Sequence, residues 1–119
     1  MLNYSQNMLD RVFGALADRT RRGILERLAE SDRSVTDLAK PYDMSLPAVS
    51  QHLRVLEKAG LVRRRRRGRV HELRLEARRL KQAEAWIEEH CRAWEERLDR
   101  LDEYLKELQA KENKNASKK

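Results

Sequence analysis

Cysteine is nearly missing from this sequence. The single thiol, Cys91, excludes an intramolecular disulfide and any cysteine-rich zinc site. No apolar run approaches the roughly 18 residues of a membrane span. The N-terminus carries no signal-peptide core, so the chain is expected to be soluble and cytoplasmic. Glycine-rich phosphate loops are lacking too, as is any grouping of nucleophile, base and orienting residue. The sequence therefore reads as a non-enzyme without a cofactor. Its 119 residues suffice for one domain with a modest core and are too few for two.

What the chain does have is positive charge, unevenly placed. Residues 1–75 hold 16 Lys and Arg against 9 Asp and Glu, whereas residues 76–119 hold 11 of each, so the net +7 belongs wholly to the front. A basic part beside a balanced one implies an anionic partner for the first and a different task for the second.

The stretch from 34 to 60, SVTDLAKPYDMSLPAVSQHLRVLEKAG, organises the rest. Ser45 is a good N-cap, and Pro47 fits only a helix's first turn, so a helix is predicted to open at Leu46. Gly60 should end it. Val49, Leu53 and Leu56 then share one face, while Pro47, Ser50, Gln51 and Arg54 share the opposite one. That second face is short and polar, suited to base edges and phosphates, where a merely solvated face would more often be Glu and Lys. A first helix over roughly 35–40 turns Val35 and Leu38 inward and breaks at Pro41 and Asp43. Helix, short turn and capped helix make a DNA-reading helix-turn-helix.

Ahead of it, residues 3–16 form a helical pattern with Met8, Leu9, Val12, Phe13 and Leu16 on one stripe. Asp18 or Thr20 caps a second helix in which Ile24, Leu25 and Leu28 point inward; Arg21 and Arg22 suit either phosphate binding or intramolecular pairing. Beyond Gly60 the period becomes two, and Leu61 to Arg67 and Arg69 to Leu75 flank Gly68 as a β-hairpin. Its tip is Arg63, Arg64, Arg65, Arg66, Arg67 and Arg69. A charge run is often a solvated surface, but beside a reading helix these arginines have a use on phosphates or in a narrow minor groove. Strand alternation means that not all of them point the same way. From about 77 to 110 the chain reads as one long helix with a seam through Leu80, Ala83, Ile87, Cys91 or His90, Trp94, Leu98, Leu101, Leu105 and Leu108. So long a seam needs a second chain, and a copy of this one, helped by Leu9, Val12 and Phe13, is the simplest partner. Residues 111–119 are expected to be a disordered polar tail.

LADRTRRGILERLAE, then SLPAVSQHLRVLEKAGLV, then the basic hairpin RRRRRGRVHELRL together resemble the ArsR family of bacterial winged-helix regulators. The resemblance implies a mainly α winged helix-turn-helix, ordered α-α-α-α-β-β-α. Residues 1–110 would be a single DNA-binding domain whose N- and C-terminal helices dimerise. It also implies repression by a homodimer on a pseudo-palindromic operator. Recognition-helix contacts would fall on Ser45, Leu46, Pro47, Ser50, Gln51 and Arg54, wing contacts on Arg63 to Arg67 and Arg69, and dimer contacts on Leu9, Val12, Phe13, Ile87, Trp94, Leu98, Leu101 and Leu105. The family's metal sensors place a cysteine pair where this chain has Ser34 and Thr36. Others place Asp, His, His and Glu where it has Ala77, Arg79, His90 and Ala93. One imidazole is not a tetrahedral site, so the chain resembles the branch without a recognisable metal site and names no inducer. An RNA-binding or nonspecific nucleic-acid protein and a coiled-coil interaction module are the alternative classes. Competition among operator, random duplex and RNA separates them.

Overall fold

The computed structural model describes residues 5–116. Two compact units divide the chain, residues 1–84 and residues 85–119. The first holds α1 (Gln6–Leu16), α2 (Arg19–Glu30), β1 (Arg33–Ser34), α3 (Val35–Ala39), α4 (Leu46–Lys58), β2 (Val62–Arg67) and β3 (Val70–Leu75), and α5 (Arg78–Ala116) starts within it. The expected first helix is present from Gln6; its residues 3 and 4 lie outside the described ones.

Each helix of the first unit before α5 starts on a side chain that meets an otherwise unsatisfied backbone N–H. Ser5, Asp18, Ser34 and Ser45 accept from the N–H groups of Met8, Arg21, Asp37 and Ala48 respectively. Pro47 sits in the first turn of α4, where no intrahelical bond is lost. At the other end α4 closes in a Schellman motif. Gly60 N–H donates to Glu57 O and Leu61 N–H to Leu56 O, both at 3.0 Å. Gly60 takes the left-handed conformation this requires, φ 73°.

The core of the unit is aliphatic. Val12 from α1, Ile24 from α2, Leu38 from α3, and Val49, Leu53 and Leu56 from α4 are fully buried, together with Leu61 and Leu73 from the hairpin region. Each such side chain contributes about 2 kcal/mol by leaving water. Leu9 (2% exposed) and Val12 (0%) belong to this core, which corrects their expected place in a dimer interface. Their stripe is covered by the chain's own helices. Phe13 is half-buried.

The sheet has three antiparallel strands in the order β1-β3-β2, with Arg33 opposite Leu73 and Arg64 opposite Leu73 on the other side. The edge strand β1 adds an element to the expected order. Two residues carry no readable periodicity, and pairing with β3 is what makes them a strand. Gly68, φ 60°, is the first of two turn residues in the hairpin, the place a type II′ turn reserves for glycine.

In the second unit α5 continues to Ala116. The polar tail expected from 111 is therefore helical through 116, since Lys111, Glu112 and Lys114 are compatible with a helix and no glycine or proline interrupts them. Residues 117–119 lie outside the described ones.

Candidate nucleic-acid interface

The apolar face of α4 is spent on the core, and this fixes what its other face shows. Leu46, Pro47, Gln51 and Arg54 are exposed, as is the cap Ser45, and Ser50 is half-buried. Leu46 stands 54% exposed at the N-terminal end of the helix, an apolar group offered to solvent beside the polar ones. The expected recognition-helix residues thus form one continuous surface, with the helix's first turn at its edge. Asn- and Gln-type amides and arginine forks there have the donors and acceptors that base edges complement.

The wing divides its arginines by strand register. Residues opposite one another across an antiparallel ladder share a face. Arg64, opposite buried Leu73, therefore lies on the core side. Its Nε and Nη2 both donate to Oε1 of Glu57 on α4, at 3.1 and 2.7 Å, and its side chain is 31% exposed. This removes Arg64 from the set of free wing arginines. Arg63 approaches Glu76 at 3.7 Å. Arg66 Nε donates to Gly68 O at 3.0 Å, bracing the turn. Arg65, Arg66, Arg67 and Arg69 make no ion pair among the described residues and are exposed. His71 alternates with Leu73 yet is exposed, because the core's cover ends short of the hairpin tip.

A polar network that the sequence showed only in part holds the reading helix in place. Arg21 Nε donates to Ala15 O at 2.8 Å and Nη2 to Gly14 O at 3.0 Å, capping the last carbonyls of α1. Its Nη1 lies 3.2 Å from Nδ1 of His52 on α4. Arg22 Nη1 meets Leu16 O at 2.7 Å. Both arginines are thus taken up inside the chain. His52 also lies 3.8 Å from Asp18. Asp18 has its carboxyl pKa held below the ordinary value, chiefly by accepting the Arg21 backbone N–H, with burial opposing and the charges of His52 and Arg21 adding. Arg27 reaches α3, donating to Leu38 O and Asp37 O at 2.9 Å each. Arg33 bridges Asp37 and Glu30. The first helix of the helix-turn-helix is therefore held by arginines from both sides. Such pairings join residues 10 or more apart in sequence, which no local pattern marks.

Along α5 the residues expected at a dimer seam are uncovered. Ile87, Trp94, Leu98, Leu101 and Leu105 are all exposed, Trp94 to 62%. The His90 ring stacks on Trp86 with centroids 4.2 Å apart, and its Nδ1 lies 2.9 Å from Trp86 O. Among the described residues no three of His, Cys, Asp and Glu come together to hold a metal. Ser34 spends its hydroxyl capping α3, and Arg79 Nη1 donates to Ala59 O at 3.3 Å. No helix among the described residues is long and apolar enough to cross a membrane.

A capped helix-turn-helix followed by a basic hairpin on a three-stranded sheet defines a winged helix-turn-helix protein. Residues 18–64 match the bacterial regulatory protein, arsR family. The HTH-type transcriptional regulator Rv2034 of Mycobacterium tuberculosis is 53% identical over 66 residues, 54% of this chain and 62% of its own length. The transcriptional repressor SdpR of Bacillus subtilis is 37% identical over 60 residues, 50% of this chain and 67% of its own. Among solved structures, the ArsR family transcriptional regulator RHA00566 superposes with a TM-score of 0.74 at 40% identity, over 80% of this chain and 97% of that one. This chain belongs to the ArsR family of bacterial regulatory proteins. It spans about three fifths of the length of Rv2034.

Proposed function

We propose that this chain is a cytoplasmic, sequence-specific DNA-binding repressor that acts as a homodimer on a pseudo-palindromic operator. One observation carries the reading: the exposed face formed by Pro47, Ser50, Gln51 and Arg54 lies on the helix whose Glu57 grips the arginine hairpin. The polar helix face reads base edges in the major groove, and Arg65, Arg66, Arg67 and Arg69 engage phosphates or the minor groove beside it. SdpR, a relative described as a transcriptional repressor, supports the direction of the effect. Residues 1–110 act as one DNA-binding and dimerisation domain.

Dimerisation follows from geometry. One recognition helix reads a few base pairs, and two must be held about 34 Å apart, or a multiple of it, to read a palindrome. The exposed apolar seam of α5 supplies the surface for that pairing. The test is selection of bound duplexes from a random pool, then competition among the selected duplex, random duplex and RNA at one salt concentration. A two-fold symmetric sequence preferred by about a thousandfold or more over random duplex is the expected result. Equal binding to all three would discard sequence-specific repression.

A further inference from the structure

From residue 87 onward α5 repeats every seven residues. Ile87, Trp94, Leu101 and Leu108 occupy one seam position, and Cys91, Leu98 and Leu105 the other, alternating by four and three residues. All are exposed, Trp94 to 62% and Leu101 to 52%. A partner must cover them, and the residues bordering the seam specify which.

On one border stand Glu88, Glu95 and Asp102, each an acid. On the other stand His90, Arg97, Tyr104 and Lys111, with no acid among them. In an antiparallel pair of copies each border meets itself, acid against acid and base against base. In a parallel pair in register the two borders meet each other, which brings Arg97 to Asp102 of the second copy and His90 to its Glu95. Like charges set side by side are destabilising, so the pattern chooses between the two directions. Asp102 also lies 3.2 Å from Lys106 of its own helix, but that pair is well exposed, 74% and 65%, and too weak to hold the carboxylate back.

We infer that residues 87–111 form a parallel, in-register, two-stranded coiled coil with a second copy of this chain. The inference rests on the homodimer proposed above and adds its strand direction. In such a coil every seam residue faces its own counterpart, so Cys91 meets Cys91. In an antiparallel pair only the layer at the crossing meets itself.

Two thiol positions therefore decide it. The native Cys91 is one, and Leu105→Cys in a Cys91→Ser background is the other, 14 residues along the helix or about 21 Å away. The parallel coil cross-links readily to itself at both positions under mild oxidation, with the full chain dimeric by sedimentation. A dimer that links at one position only, or at neither, overturns the parallel direction and leaves the homodimer standing. A monomer overturns both. A charge exchange gives an independent reading: Arg97→Glu should weaken dimerisation about tenfold, and adding Asp102→Arg should restore it. A double variant as weak as the single one also overturns the parallel pairing.

Discussion

Nη1 of Arg21 stands 3.2 Å from Nδ1 of His52, joining the start of α2 to the middle of α4. The same guanidinium holds the carbonyls of Gly14 and Ala15. Arg21→Ala should cost about 1 to 3 kcal/mol, because it strands a part-buried carbonyl and the imidazole together. Arg21→Lys recovers little of this, since one ammonium cannot span three acceptors in a plane. Urea midpoints of the two variants check it, and a Lys variant as stable as the parent would refute the role of the fork.

Asp18 links folding to pH. Its carboxyl pKa lies below the ordinary value in the folded chain, so the stability it provides is fully present above the unfolded value, about 3.9, and is lost as pH falls through the lower folded value. Asp18→Ala should cost about 1 kcal/mol at neutral pH through removal of the cap. The gap between parent and variant should narrow below about pH 4. Denaturant titrations at several pH values measure it, and a gap that stays constant into acid would show that the charge is irrelevant.

Gln51→Ala and Arg54→Ala should weaken binding to the selected duplex more than to random duplex. A good bidentate base contact discriminates by about 1 to 3 kcal/mol. Equal losses on both duplexes would reassign these side chains to phosphate.

The wing arginines should separate into two kinds. Replacing Arg65, Arg66 and Arg67 with Ala lowers affinity on every sequence and flattens the salt dependence by about 0.9 for each phosphate that is no longer neutralised. Arg64→Ala, which breaks the pair with Glu57, leaves the salt slope near that of the parent. A slope reduced as much by Arg64→Ala as by one of the tip arginines would place Arg64 on the DNA.

Much of this architecture was legible because helix ends are written locally. Ser45, Pro47 and Gly60 state where α4 begins and stops through the bonds that their own backbone permits or forbids, and the structure keeps all three. Periodicity located the stripe of α1 equally well. It could not say what would cover that stripe, since a core face and a partner face have the same chemistry; Leu9 and Val12 turned out to be core. Register decided the fate of Arg64, and register is set by which strand pairs with which. The pairings of Arg21 with His52 and of Arg27 with α3 depend on three-dimensional neighbours, so only the capacity to pair was visible beforehand.

Between the last helical residue of α4 and the first of β2 stand only Ala59, Gly60 and Leu61, and the Schellman bonds, the burial of Leu61 and the Glu57–Arg64 clamp leave that joint nothing to turn about. The reading helix and the arginine strand therefore behave as two marks on one ruler. A signal cannot retune the spacing between them by modest adjustment; it must move one ruler against the other. Control of such a regulator is thus to be sought in how two copies are set, and variants that loosen the Gly60 joint should blur sequence choice before they abolish binding.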